Sequence, residues 1–262
     1  MHTPDYIDFE AITALFRVAH AEGRNFLYEY EVYTLLARSG AETPPRASLL
    51  VRGARPSDEE LAAMPGDKAV LKIVSPTIVH KTEVGGVRIV PKTPDSVRSA
   101  LRRMLYEVPE KYAAWIERHP DAAPPSYRGL TGQGLVAAIG RDLKGVLQVQ
   151  FMPPDSDAFG NELIVGLRRT REFGMVLSAG LGGTDTELYA QRFRKGQAIV
   201  AASTALTDGE AFFELFRQTI SYKKLAGLTR GQRRIVGDDQ LIECFESFIA
   251  MANFYSPENP YT

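Results

Sequence analysis

Cysteine is almost missing from this chain: Cys244 stands alone among 262 residues. A single thiol excludes an internal disulfide framework and a cysteine metal cluster, and its place in a helical apolar pattern reads as a buried structural group. An excess of one charge is missing too. Lysine and arginine total 31 against 32 aspartates and glutamates, a net charge of −1. No global field then draws the protein to nucleic acid or to an anionic membrane; neither is expected as a partner, and any phosphate site must be local. No apolar run reaches the length needed to span a bilayer. The opening MHTPDYIDFEAI carries acidic residues where a secretory signal needs basic ones, so the expected location is cytoplasmic. Internal repeats and low-complexity tracts are also missing.

What is present is an ordinary globular composition, 44% hydrophobic and 24% charged. Ile7, Phe9, Ile12, Leu15, Phe16 and Ala19 recur with helical spacing ahead of Gly23, and a second helix is expected from Glu29 to Arg38, before Gly40 and Pro44-Pro45. Ala47 to Val51 reads as a strand. Ser57 with Glu60 reads as the capping box of a short helix, and Thr93-Pro94 as the start of a long one ending at His119-Pro120. Pro120 to Gly134 reads as an exposed excursion. The runs Leu135 to Ile139, Val146 to Met152, Leu163 to Leu167 and Met175 to Ala179 read as strands. Thr207 with Glu210 caps a further helix, and Asp238 or Asp239 starts the last. Their stripes, with Phe212, Phe213, Phe216, Phe245 and Phe248, read as core rather than as a cofactor box. His2, His20 and His119 sit at termini or helix ends, where solvated or capping roles are expected.

The stretch with chemistry in it runs from Ala69 to Val90, AVLKIVSPTIVHKTEVGGVRIV. A lysine, Lys72, interrupts a β-branched apolar run and needs an anionic partner. Gly85-Gly86 then turns the chain into a second apolar run. A glycine pair lets backbone N–H groups approach a phosphate closely, although it serves equally as a plain hairpin turn. His80 lies between the two features, where a transferred phosphoryl group could be received.

The positions Lys72, Ser75, Pro76, His80, Lys81, Thr82, Glu83, Gly85, Gly86 and Val87 form an ungapped run. It resembles the signature of the ATP-grasp domain in nucleoside-diphosphate-forming acyl-CoA synthetases, relatives of the succinyl-CoA synthetase β subunit. The resemblance implies an α+β fold of two lobes enclosing a nucleotide cleft. The small lobe would cover roughly residues 45–150 and the large lobe roughly 151–262, with the helices of residues 7–40 packed alongside the latter. Lys72 and a Gly85-Gly86 flap would bind the phosphates of ATP or ADP. Gln150 and Met152, in a hinge VQFMP, would read adenine through the backbone. Glu162, in NELIVG, would face the cleft for ribose or metal, and Gly182, Gly183 and Glu187, in a G-L-G-G-x-x-x-E loop, would take phosphate. His80 would receive a phosphoryl group from a CoA-binding domain or subunit and pass it to ADP.

The chain also departs from that family pattern. Thr170 replaces the aspartate of its G-[ML]-K-R-D-x-x-F-G run, LYAQRFRKGQAIV does not follow the usual strand pattern, and the likeness returns at Tyr222 to Gly231. The sequence stops at Asn259-Pro260-Tyr261-Thr262, ahead of the motifs that hold Mg²⁺ in the family. The expectation is therefore a fragment of a longer polypeptide lacking the last strands of the large lobe, with Mg²⁺ ligands beyond Thr262 unless Glu162, Asp185 or Glu187 builds the site. The functional expectation is the ATP-grasp part of an ADP-forming acyl-CoA synthetase, an acid–thiol ligase. The alternative is a non-catalytic adenine-nucleotide-binding regulatory module. A carboxylate–amine ligase is disfavoured, since that chemistry needs no histidine intermediate. Alone, the chain is expected to bind ADP or ATP weakly, with little dependence on Mg²⁺ and no synthetase activity.

Overall fold

The computed structural model describes residues 4–153, 162–182, 194, 196–229, 231 and 233–256. The chain divides into two compact units, Glu10–Ala37 with Glu42–Met152, and Met1–Phe9 with Arg38–Ala41 and Pro153–Thr262. The division falls at Met152, in the VQFMP segment.

The unit that carries the signature contains α1 (Phe9–Ala21), α2 (Glu29–Arg38), β1 (Ala47–Val51), α3 (Asp58–Ala62), β2 (Lys68–Val74), β3 (Val87–Pro91), α4 (Pro94–Arg118), α5 (Gly132–Asp142) and β4 (Gly145–Gln150). The strands form an antiparallel sheet in the order β1-β4-β2-β3. Because side chains alternate along a strand, β2 serves two faces. Leu71 and Ile73 are fully buried and join Val97, Met104 and Val108 of α4 with Leu135 and Ile139 of α5 in one core. Val74 and Val70 point the other way, into a cluster with Tyr28, Tyr30, Tyr33, Leu147 and Val149. Lys72 lies between those two valines on the tyrosine-covered face.

This packing explains where the N-terminal helices belong. Sequence reading sets the helices of residues 7–40 beside the large lobe, whereas Glu10–Ala37 groups with the four-stranded sheet. The tyrosines before and within α2 cover the second face of that sheet. Two further expectations are corrected. The run Leu135 to Ile139 is part of helix α5, with Leu135, Ala138 and Ile139 buried at helical spacing. Five consecutive apolar residues do not by themselves distinguish strand from helix. The stretch 120–134 is not simply an exposed excursion either: it contains two short 3-10 turns and the buried Tyr127.

The other unit contains β5 (Leu163–Thr170), β6 (Gly174–Leu181), β7 (Ile199–Ser203), α6 (Gly209–Phe216), α7 (Ile220–Leu225) and α8 (Asp238–Phe254), its strands forming an antiparallel sheet β5-β6-β7. Leu177, Ala179 and Val200 of the sheet pack against Phe212, Phe213, Phe216, Tyr222, Leu241 and Phe245, so the phenylalanine stripes are core. The cap of α6 is Asp208 rather than Thr207: its carboxylate accepts from the Ala211 N–H at 2.8 Å. Cys244 is partly buried, and burial pushes its thiol up from the ordinary range. Among the described residues no helix is long and apolar enough to cross a membrane.

Candidate functional site

The loop between β2 and β3 is tied down along its length. Ser75 Oγ accepts from the N–H groups of Thr77 and Ile78 at 3.2 and 3.3 Å, a local turn that Pro76 reinforces. Tyr112 of α4 donates to the Thr77 carbonyl at 3.0 Å. Tyr127 donates to Asp142 at 2.6 Å and meets the Thr77 hydroxyl at 3.0 Å. Burial, and then the bond to Asp142, holds the Tyr127 phenol above its usual range. Ile78 and Val84 are both 2% exposed and anchor the loop in the core on either side of His80.

His80 itself projects outward, its side chain 70% exposed, with Nδ1 3.9 Å from Glu83 Oε1. Trp115 Nε1 donates to the other oxygen of that carboxylate at 3.2 Å. A pocket of about 310 Å³ opens beside the imidazole, with Thr77, Glu83, Tyr112 and Trp115 in its wall.

Lys72 has found its anion within the chain. Its Nζ donates to Glu29 Oε1 at 2.5 Å, Lys81 Nζ lies 3.7 Å from Glu29 Oε2, and Tyr33 donates to the same carboxylate at 2.7 Å. Burial pushes the Glu29 carboxyl up, but hydrogen bonds from Lys72 and Tyr33 and the charges of Lys72 and Lys81 outweigh it and hold the group below the ordinary carboxylate range. Burial, with the bond to Glu29, raises the Tyr33 phenol. Sequence reasoning missed Glu29, Tyr33 and the second lysine as one cluster. The signal was present in the acidic, tyrosine-rich opening of α2, LYEYEVY.

The glycine pair is built differently from a phosphate cradle. Gly85 adopts φ +69°, and its N–H donates to the Thr82 carbonyl at 3.1 Å. Gly86 donates to the Lys81 carbonyl at 2.7 Å and accepts from Ile73 at 2.8 Å. Both N–H groups are thus spent inside the loop. Gly182 is similar: its N–H donates to the Glu162 carbonyl at 2.8 Å, which brings those two residues together at the start of β5 and the end of β6, with the Glu162 side chain exposed. Gln150 closes β4, donating its N–H to Arg46 at 2.8 Å and accepting from the Arg46 N–H through Oε1 at 3.3 Å. Met152 follows, 59% exposed. Gly183, Asp185 and Glu187 lie outside the described residues. Thr170, which replaces the family's aspartate, caps the β5–β6 turn by accepting from the Phe173 N–H and donating to the Gly174 carbonyl, both at 3.1 Å. Among the described residues no group of three or more His, Cys, Asp or Glu side chains could hold a metal ion.

Comparison with known proteins decides the family. The family model for the ATP-grasp domain matches residues 18–118 and 133–252. This chain belongs to the ATP-grasp family. Within it, the ATP-grasp chain is 29% identical over 182 residues to the β subunit of acetate–CoA ligase (ADP-forming) I of Pyrococcus furiosus, covering 68% of this chain and 61% of that protein. It is 30% identical over 167 residues to acetate–CoA ligase (ADP-forming) of Methanocaldococcus jannaschii, covering 64% of this chain and 19% of that much longer protein. The ATP-grasp chain thus spans less than two thirds of the curated relatives it matches. A solved structure of a dinucleotide-forming acetyl-coenzyme A synthetase 1 from Ca. Korarchaeum cryptofilum, in complex with coenzyme A, Ca-AMPCP and HgCl⁺, superposes with a TM-score of 0.60 at 26% identity. That match covers 94% of this chain and 86% of that one.

Proposed function

We propose that this ATP-grasp chain is the nucleotide-handling part of an ADP-forming acyl-CoA synthetase, an acid–thiol ligase, and that it relays a phosphoryl group between ADP and a CoA-binding domain or subunit through His80. The observation that carries the reading is the presentation of His80, an imidazole 70% exposed on a loop anchored on both sides by the buried Ile78 and Val84. A nucleophile that must meet a group carried by another domain has to be exposed. One that must meet it in a repeatable geometry needs a fixed backbone. The names of the Pyrococcus and Methanocaldococcus relatives, and the coenzyme A and nucleotide analogue in the Korarchaeum structure, support the same reaction class.

In this scheme a neutral imidazole nitrogen attacks phosphorus, the N–P bond forms and the donor's bond to phosphorus breaks. A terminal oxygen of ADP then attacks the same phosphorus, and the imidazole leaves as a neutral group. Lys72 and Lys81 offset the negative charge of the nucleotide phosphates. Gln150 and Met152 are the hinge positions for adenine, and Glu162 and Gly182, with Gly183 and Glu187, are assigned to the nucleotide as the family resemblance implies. Gly85 and Gly86 are given a supporting role, holding the loop in shape. Among the described residues no three His, Cys, Asp or Glu side chains come together to hold Mg²⁺. His80→Asn in the assembled enzyme should abolish ATP formation from acyl-CoA, phosphate and ADP while leaving nucleotide binding unchanged. Undiminished turnover would overturn the relay.

A further inference from the structure

Lys72 and Lys81 already face an anion, and it belongs to the chain itself. One oxygen of the Glu29 carboxylate accepts from Lys72 Nζ at 2.5 Å and the other lies 3.7 Å from Lys81 Nζ. Two ammonium groups converging on the two oxygens of one carboxylate reproduce what two oxygens of a phosphate would receive. We propose that Glu29 is an internal stand-in for a nucleotide phosphate: it occupies the Lys72–Lys81 pair in the free protein, and a diphosphate or triphosphate must displace it to bind. The inference rests on the reading of Lys72 as a phosphate ligand.

The fold keeps the stand-in in place. Glu29 is the first residue of α2, where the helix dipole favours an anion, and Tyr33 one turn later supplies a hydrogen bond at 2.7 Å. Tethering by α2 gives the carboxylate a high effective concentration at the lysines, which an external anion has to overcome. Displacing Glu29 lowers the apparent affinity of every phosphate ligand by the same factor, so it leaves their ranking alone. It sets a threshold that a diphosphate, with more charge for the pair, passes at lower concentration than a monophosphate.

Displacement has a proton signature. The titratable groups facing Glu29 are Lys72 from β2, Lys81 from the following loop and Tyr33 from its own helix. In the free protein the two lysines keep the carboxyl ionised to lower pH than usual, against the upward push of burial. Once phosphate takes the lysines, their downward pull on the Glu29 carboxyl is lost, so displacement should make that carboxyl easier to protonate than in the free protein.

The test is calorimetry on the whole chain, with pyrophosphate, ADP and inorganic phosphate as probes. Glu29→Gln, which keeps the shape and removes the charge, should tighten pyrophosphate binding by about tenfold or more and inorganic phosphate by a similar factor. Unchanged or weaker binding by Glu29→Gln, together with loss of binding in Lys72→Met, would overturn the stand-in and leave the phosphate role of Lys72 intact. Wild-type affinity in Lys72→Met would overturn the reading on which the inference rests. Should Glu29→Gln fail to fold, Glu29→Asp decides. That carboxylate, one methylene shorter, reaches the two lysines less well and should also tighten pyrophosphate binding, and unchanged or weaker binding would overturn the proposal.

Discussion

Gly86→Ala separates two reasons for a glycine at that position. A Cβ there would lie 2.9 Å from Ile73 Cγ2 and 2.9 Å from the Lys81 carbonyl oxygen. Neither neighbour can recede. Ile73 is fully buried, and the Lys81 oxygen is held by the Gly86 N–H at 2.7 Å while the Gly86 carbonyl is held by the Ile73 N–H at 2.8 Å. Forcing a methyl group into a packed site of this kind costs about 1–3 kcal/mol. For a protein of this size that lowers the melting temperature by about 2–12 °C. Gly85→Ala is the informative comparison. Its Cβ would meet only the flexible ends of Lys111, at 3.2 Å, and Arg88, at 4.0 Å, so its cost comes from the left-handed backbone at φ +69°, about 1–2 kcal/mol. Differential scanning fluorimetry, with ADP titrations on each variant, reads both effects. If Gly86→Ala melts like the parent but no longer binds ADP, the glycine serves close phosphate approach and the packing argument is wrong.

The Glu31 carboxylate takes two hydrogen bonds from Arg24 at 2.8 Å and one from the Tyr28 N–H at 2.6 Å, with both charged side chains only 7% exposed; Glu31→Ala removes all three and leaves the guanidinium its bonds to Glu22 at 2.7 Å and to the Phe26 carbonyl at 2.9 Å. The loss should be about 1.5–3 kcal/mol in urea unfolding; less than about 0.5 kcal/mol would show the pair to be solvated. Tyr127→Phe deletes the hydroxyl that joins Asp142 to Thr77 and should cost about 1–3 kcal/mol, with amide exchange quickening around residues 77–80; unchanged exchange there would contradict the tie.

Local signals made much of the fold legible. The span of α2, the capping box at Ser57 and Glu60, and the Thr93-Pro94 start of α4 all rest on chemistry within a few residues, and each appears where the sequence puts it. Helix α5 was not legible, since a five-residue apolar run has no period of its own and its partners lie on α4. The candidate site divides in the same way. His80 and Lys72 stand out from their apolar surroundings, and the need of Lys72 for an anion follows from its strand. That the anion is Glu29 could not be read, because the two residues are 43 positions apart and meet only when α2 covers the sheet. The glycine pair signals a tight backbone, but sequence does not say whether its N–H groups face a ligand or their own loop.

The most direct measurement of the central claim is the phosphorylation state of His80 during turnover. The assembled enzyme, given acyl-CoA and inorganic phosphate without ADP, should accumulate an acid-labile, base-stable phosphate on the peptide that contains His80, and adding ADP should discharge it as ATP. Turnover that proceeds with no phosphate ever found on His80 would contradict the relay.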